Sequence, residues 1–357
     1  MKEDIKRILI IRLRYVGDLV LTTPLIRSLK TNFPESHLSY MAEPHYLQIL
    51  KENPYIDELI PCEKKTFMSF MKTLLRVRSK KFDLAIDLFG NPRSALISYI
   101  SGANIRVGFD FRFRKYAYNR VVGEDVKDDS KKDALDVYEQ VLNTIGVRTL
   151  NRKTEIFLSK EEEKRANIFL KSKGLEVKND IIGINPGGQP ARRWPKEKFA
   201  ELGDRIIRDG KTVLLFSGPN EKELSKDIYN LMKRKPILAD ELNLRELAAV
   251  INTCKLFVTN NTGAFHISVA LGIPTIAIFR AKENETWFPY KDDKFVFISK
   301  DVECWPCHKN FCDDLKCMKL ISVDEVEDWM LGGLESQRVR GIEDWSEKNE
   351  ETKKRRY

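Results

Sequence analysis

The sequence predicts an α/β protein made of two doubly wound halves with a cleft between them. Three observations predict it. Short β-branched strands alternate with amphipathic helices along the whole chain, the pattern of parallel sheets covered by helices on both faces. The alternation runs twice, and a highly charged helical stretch, Lys160 to Lys173, separates the two series. The length, 357 residues, suits two domains of ordinary size.

In the first series, Arg7 to Arg12 (RILIIR) is a strand and Leu13 to Gly17 the loop after it. Asp18 opens a helix that reaches about Asn32, with Leu19, Val20, Leu25, Ile26 and Leu29 as its apolar positions. Pro24 lies early enough in that helix to be tolerated. Leu38 to Ala42 and Glu58 to Pro61 are strands, with a short helix from Tyr46 to Glu52 between them. Phe67 to Ser79 is a basic amphipathic helix. Leu84 to Leu88 is a strand, Phe89 to Arg93 a loop, Ser94 to Ser101 a helix and Val107 to Phe109 a brief strand. Lys132 to Gly146 is a long helix ended by its glycine, and Glu155 to Leu158 a short strand.

The second series begins with a strand, Ile181 to Asn185, that runs into Pro186, Gly187 and Gly188. Helices follow at Phe199 to Asp209, Glu221 to Lys233 and Leu244 to Asn252, with strands at Thr212 to Ser217 and Ile237 to Ala239. The stretch LFVTNNTGAFHISVALGIPTIAIF, Leu256 to Phe279, then reads strand, polar loop, helix, turn, strand. Gly272 and Pro274 stop its helix, and Thr275 to Phe279 is a β-branched buried strand. These series divide the chain at residues 1–174 and 175–335, with a charged tail at 336–357.

No run reaches the roughly 18 apolar residues of a membrane span, and Arg12 and Arg14 interrupt the apolar N-terminal stretch. The chain is therefore read as cytosolic. Its net charge of +9 suits anionic partners: nucleic acid, sugar phosphates or an acidic membrane surface. Phe111 to Arg120, FRFRKYAYNR, interleaves arginines with aromatics. That pattern fits RNA and fits equally a loop gripping an anionic sugar. Cys304, Cys307, Cys312 and Cys317 fall within fourteen residues. In a reducing compartment such a group favours metal over disulfides, although the spacing is not that of a zinc ribbon.

Ligands of doubly wound sheets bind beyond the carboxyl ends of the strands. Four loops should therefore face the cleft: Leu13–Asp18, Phe89–Arg93, Asn185–Trp194 and Thr259–Gly263. None carries a dinucleotide or P-loop glycine pattern. Gly187 and Gly188 permit close backbone approach, and Arg192 and Arg193 can clamp phosphate. Thr262, Gly263 and Ala264 open a helix whose free N–H groups suit a diphosphate, and His266 lies in its first turn. Asp18, after Gly17, is either a helix cap or a carboxylate able to take a proton from an acceptor hydroxyl.

The segments RLRYVGDLVLTTPLIRSLKTNFP, DLAIDLFGNPRSALISYISGANIRVGF, INPGGQPARRWPKEKFAEL and VTNNTGAFHISVALGIPTIAIF occur in this order. Together they resemble the heptosyltransferases, the inverting sugar transferases of glycosyltransferase family 9. CWPCHKNFCDDLKCMKLISVDEV is similar to a cysteine-rich segment of many members, and the resemblance extends to about Met330. It implies the GT-B arrangement, two Rossmann-like domains facing across a cleft, with acceptor in 1–174 and nucleotide-sugar donor in 175–335. It also implies transfer of heptose from ADP-heptose to a lipopolysaccharide inner-core acceptor in the cytosol. No cofactor is required, and a structural metal at the cysteines is the one candidate. The partners expected are an ADP-sugar and an anionic glycolipid, with peripheral contact at the inner membrane surface and no nucleic acid.

Residue by residue, the resemblance assigns Asp18 as general base. Arg192 takes a donor-phosphate position often held by lysine. Asn261, Thr262, Gly263 and His266 fall in the diphosphate segment beside Gly187 and Gly188. Glu221 or Glu223 corresponds to the ribose-binding carboxylate. The family's acceptors carry carboxylates or phosphates, which suits Arg14, Asn91, Arg106, Arg112, Arg114 and Arg120. The family's usual D-[ST]-G is here Asn261-Thr262-Gly263, an amide without aspartate's charge. That departure bears on the donor sugar and on activity itself. The competing readings are a polyanion- or RNA-binding protein, and a family relative with another donor or with lost activity.

Overall fold

Strand β1 (Arg7–Ile11) sits inside a six-stranded, all-parallel sheet with β2 (His37–Ala42), β3 (Glu58–Pro61), β4 (Leu84–Asp87), β5 (Ile105–Phe109) and β6 (Arg120–Val122). Its order is β3-β2-β1-β4-β5-β6. A second parallel sheet holds β7 (Ile181–Asn185), β8 (Thr212–Phe216), β9 (Ile237–Ala239), β10 (Leu256–Asn260), β11 (Thr275–Ile278) and β12 (Phe295–Ile298). Its order, β12-β11-β10-β7-β8-β9, repeats the first topology. This computed structural model describes residues 5–63, 66–111, 114–122, 133–175, 180–304 and 311–338.

The helices follow in chain order. The first half has α1 (Val16–Leu21), α2 (Thr23–Asn32), α3 (Pro44–Leu47), α4 (Phe67–Ser79), α5 (Pro92–Ser101) and α6 (Ala134–Thr144). Then come α7 (Lys160–Ser172), α8 (Lys196–Arg208), α9 (Lys222–Leu231), α10 (Leu244–Ile251) and α11 (Gly263–Ala270). The chain continues with α12 (Asn284–Trp287), α13 (Lys316–Lys319) and α14 (Val323–Arg338). Among the described residues no helix is long and apolar enough to cross a membrane.

Side chains of a strand alternate between faces, and both faces of β1 are covered. Ile8 and Ile10 enter one core cluster, Leu9 and Ile11 another. The β7 strand behaves alike: Ile182 and Ile184 pack outward under α8, whereas Ile181 joins the cluster that contains Ile8. That cluster takes in Leu19 and Val20 of α1 with Ala264 and Ile267 of α11, so the two halves share one apolar core. Arg245 of α10 bolts the junction. It bonds Glu162 of α7 through Nε and Nη2 at 2.7 and 2.6 Å, and reaches the carbonyl of Phe157 at 2.7 Å. The Arg245 bonds pull the Glu162 carboxyl down to about 2.

Three expectations need correction. The helix expected from Asp18 to Asn32 is two helices, broken at Thr22. Pro24 has no N–H to continue the first ladder, and Thr22 Oγ1 instead donates to the Leu19 carbonyl at 2.7 Å. Glu155–Leu158 is not a strand: Glu155 N–H donates to Thr23 Oγ1, a side chain, at 3.0 Å. Within Phe111–Arg120, a 3₁₀ turn at Arg114–Ala117 leads into the edge strand β6, which the arginine-aromatic pattern concealed.

Candidate active site

The strand order reverses between β1 and β4 in the first sheet and between β7 and β10 in the second. In such sheets the crevice beyond these strand ends is the binding place. At the first crevice Arg12 follows β1. Its guanidinium donates to the Leu88 carbonyl, lies 5.2 Å from the Phe89 ring centroid and meets Asp18 Oδ2 at 2.8 Å. Asp18 is buried and is the third residue of α1, not its cap. The capping position belongs to Tyr15, whose φ of 69° turns the chain into the helix. A non-glycine residue held there costs about 1–3 kcal/mol, which the packing of α1 must offset.

Glu43, beyond β2, completes this mouth. It accepts from Arg14 Nε at 2.6 Å and faces Arg93 Nη1 at 3.7 Å. Neither Glu43 nor Arg93 stood out in the sequence, although both follow strand ends, where the crevice rule would find them. Asn91 caps α5 by accepting from the Ser94 N–H at 2.8 Å, so its amide serves the helix. Asp87 is fully buried and spent. It accepts from the N–H groups of Phe89 and Gly90 and from Tyr118 Oη, and burial raises its pKa.

The second crevice is built from amides. Asn260 Oδ1 accepts from the Trp194 N–H at 3.1 Å, while its Nδ2 donates to the carbonyls of Pro186 and Gly187. Asn185 Nδ2 donates to Thr262 Oγ1 at 3.1 Å. Glu221 ties the glycine turn down: its carboxylate accepts from Gly188 N at 2.6 Å and from Gly218 N at 3.2 Å. A Cβ at Gly187 would stand 2.3 Å from that carboxylate, so a larger residue there must push Glu221 off the turn. Glu223 is exposed on α9 and takes no part in this arrangement. Arg193 Nε donates to the Gly188 carbonyl, and Arg192 Nε lies 2.9 Å from Glu283, which also holds Arg280. Burial lowers the Arg192 pKa and Arg280 adds to this, against the pull of Glu283. Arginine remains a cation at neutral pH regardless.

The two crevices meet. A Cβ at Gly17 would stand 2.4 Å from the His266 ring, and one at Gly263 would stand 3.1 Å from Val16 Cβ. The start of α1, which carries Asp18, therefore packs against the start of α11. Between them His266 is buried, its Nδ1 2.9 Å from Tyr290 Oη, and burial pushes its pKa down to about 3. His266 is a neutral packing and hydrogen-bonding group at the junction, not a cation.

Other candidates lie apart from this junction. Arg106 Nε and Nη1 donate to the carbonyls of Ala117 and Ala103, so its guanidinium braces the β5 edge. Arg120 opens the edge strand β6, three strands from β1, with Nη1 donating to its neighbour's carbonyl. Arg114 begins the 3₁₀ turn, and Arg112 lies outside the described residues. Among the described residues no group of three or more His, Cys, Asp or Glu side chains is arranged to hold a metal. Cys304 is exposed, Cys312 Sγ accepts from the Leu315 N–H, Cys317 is buried and Cys307 lies outside the described residues. The metal expected from their spacing finds no support in this geometry.

The model of glycosyltransferase family 9 (heptosyltransferase) matches residues 70–318. The chain belongs to glycosyltransferase family 9. Lipopolysaccharide heptosyltransferase 3 of Escherichia coli is 26% identical over 305 residues, covering 82% of this chain and 89% of that protein. A family 9 glycosyl transferase of Veillonella parvula, 28% identical, superposes with a TM-score of 0.82 over 94% of this chain and 98% of that one. The E. coli ADP-heptose lipopolysaccharide heptosyltransferase II, at 22% identity, shares the fold, with a TM-score of 0.77 over 93% and 100% of the two chains. This family 9 member is thus a heptosyltransferase-like enzyme of GT-B architecture.

Proposed function

We propose that the chain transfers heptose from ADP-heptose to a lipopolysaccharide inner-core acceptor with inversion at the anomeric carbon. The observation that carries this reading is the approach of Gly17 to His266, which sets Asp18 beside the start of α11. A direct displacement needs a base on the acceptor side and charge stabilisation on the leaving-group side. Asp18 is assigned the first role. The leaving diphosphate falls to Arg192 and to Thr262 and Gly263 at the α11 N-terminus. Glu221 is assigned the nucleotide ribose, Gly187 and Gly188 the close approach of the donor, and Asn261 a contact to it. Arg192 and backbone N–H groups supply the positive charge the diphosphate needs, so no metal is assigned to the transfer.

The acceptor is assigned to residues 1–174 and the donor to 175–335, with 336–357 as a charged tail. Arg14 and Asn91, joined by Arg93, are assigned as acceptor contacts at the first-domain mouth. Arg112, Arg114 and Arg120 would act at longer range on an extended anionic glycan, whereas Arg106 is taken up by the carbonyls of Ala103 and Ala117. The names of the relatives, lipopolysaccharide heptosyltransferase 3 and ADP-heptose lipopolysaccharide heptosyltransferase II, support the donor and acceptor classes. A cytosolic location, at the inner membrane surface, belongs to the same reading.

Asn261 favours a second reading, a donor other than ADP-heptose or a loss of activity. The test is incubation of the full chain with ADP-heptose and a water-soluble inner-core oligosaccharide. ADP release with an inverted linkage in the product, read by NMR, is the expected result. Release with another ADP-sugar alone would replace the donor. Saturable ADP binding without any transfer would favour lost activity.

A further inference from the structure

Helix α4 carries an apolar ridge that the fold leaves uncovered. Thr73, Leu74 and Val77 bury its inner face, Leu74 and Val77 among the core residues under β1 and β4. Phe67, Met68 and Leu75 are instead 78%, 64% and 66% exposed. At about 100° per residue, Phe67, Met71, Leu75 and Met68 share one arc of roughly 100°. Lys72 borders it on one side, followed by Arg76, which pairs with Glu58 at 3.1 Å, and Arg78 rises within the arc between Phe67 and Met71. Residues 64–82 contain seven basic and no acidic side chains. The outer face thus carries apolar side chains with cations beside and among them. That mixture matches the headgroup boundary of an anionic bilayer, where the apolar groups enter the acyl region and Lys72 and Arg78 meet phosphates.

The position of the ridge adds to this. Helices of a doubly wound sheet run against their strands, so α4 begins at the crevice end. Phe70 in its first turns receives the Arg93 guanidinium 6.0 Å from its ring centroid, and Arg93 faces Glu43 beside Arg14. Farther along, Tyr99 of α5, 52% exposed, pairs with Tyr116, 61% exposed, at 6.4 Å between ring centroids. The exposed apolar surface therefore starts at the first-domain mouth and runs down one side of it.

We infer that α4 docks the chain on an anionic lipid surface and so holds the first-domain mouth where a lipid-anchored acceptor would be presented. The purpose of the docking rests on the proposed glycolipid acceptor; the docking itself does not. The test is co-sedimentation of the full chain with vesicles of phosphatidylcholine alone and of phosphatidylcholine with phosphatidylglycerol. Binding to the anionic vesicles, weakened by salt, is expected. Phe67→Ser/Met68→Ser/Leu75→Ser should lower the vesicle affinity about tenfold or more. Lys72→Glu should lower it about fivefold. Both variants should keep the wild-type melting temperature, ADP affinity and turnover on a water-soluble acceptor. A wild type that stays in the supernatant with both vesicles overturns the proposal. So does wild-type binding by the triple variant, which would move the contact elsewhere, such as to the basic residues near the C-terminus. A dimer that the triple variant breaks, with no vesicle binding, would make the ridge a contact between copies. Failure of transfer to the water-soluble acceptor in the wild type bears on the proposed function and leaves the vesicle result standing.

Discussion

The two crevices have the same topology and opposite chemistry. The first is lined by paired charges: Asp18 with Arg12, and Glu43 with Arg14 and Arg93. At the second, neutral amides and hydroxyls fix the loops through Asn185, Asn260 and Thr262. Its charges stand back: Glu221 folds onto the glycine turn, and Arg192 leans on Glu283. The residue assigned as base is a carboxylate, and a buried carboxylate is stabilised by a cation beside it. An anion cradle needs free N–H groups at a helix start, and carboxylates in the cradle would repel the ligand. The same topology presents both chemistries because they differ in the residues that follow the strands.

The comparison breaks first at Asp18. Asp18→Asn retains the shape but removes the base, and turnover should fall on the order of 10²–10⁴. ADP affinity should stay within about twofold, since the second crevice, the proposed donor side, is untouched. Single-turnover transfer and ADP titration separate the two effects. Wild-type turnover in this variant would leave Asp18 as no more than a partner for Arg12.

Gly17→Ala tests whether the crevices work as one. Its Cβ would stand 2.4 Å from the His266 ring, so α1 and α11 must part. A misplacement of about 1 Å can cost 10² in rate, and a loss of that order is expected with ADP binding largely retained. An unchanged rate would mean that the two mouths need not meet in the reacting complex.

At the second crevice, Glu221 and Glu223 can be told apart. Glu221→Ala frees the Gly187–Gly188 turn and removes charge-assisted bonds worth roughly 1.5–3 kcal/mol each. ADP affinity should drop about 10- to 100-fold by calorimetry. Glu223→Ala, at an exposed position, should change it less than about twofold. Equal effects of the two substitutions would remove Glu221 from the ribose site.

The smallest effect concerns His266. Its folded pKa, about 3, lies below the ordinary value of 6.5, so the unfolded chain takes up a proton that the folded chain refuses. The resulting loss of stability begins as pH falls through about 6.5 and grows toward the folded pKa. Between pH 7.5 and 5.5 this costs about 1 kcal/mol. Urea unfolding of the wild type should show that loss, and His266→Gln should flatten it. A wild-type curve already flat in this window would mean that His266 titrates normally.

Much of the architecture can be read locally. Helix α4 runs from Phe67 to Ser79, as its amphipathic pattern indicates, and β7 from Ile181 to Asn185. Hydrophobic periodicity is a property of neighbours in sequence, so it survives without the fold. The polar loops after β1, β4, β7 and β10 were legible for the same reason. Long-range partners were not. Arg106 looked like an anion-binding residue because its charge is visible, but the carbonyls of Ala103 and Ala117 that occupy it are not. His266 looked able to meet an anion until burial and Tyr290 made it neutral.

The sequence by itself determined the two doubly wound halves, the strand-end loops and the order of the motifs, because these depend on patterns within a few residues. Only the tertiary structure decided that Asp18 pairs with Arg12 rather than capping its helix. It alone separated Glu221, which folds onto the glycine turn just ahead of α9, from Glu223, exposed in the first turn of α9. It also decided that Gly17 must lack a side chain, since the atom it would strike belongs to the other half of the molecule. Glu221 and the glycine turn, or Gly17 and His266, lie tens to hundreds of positions apart, and no local pattern encodes a distance across a cleft.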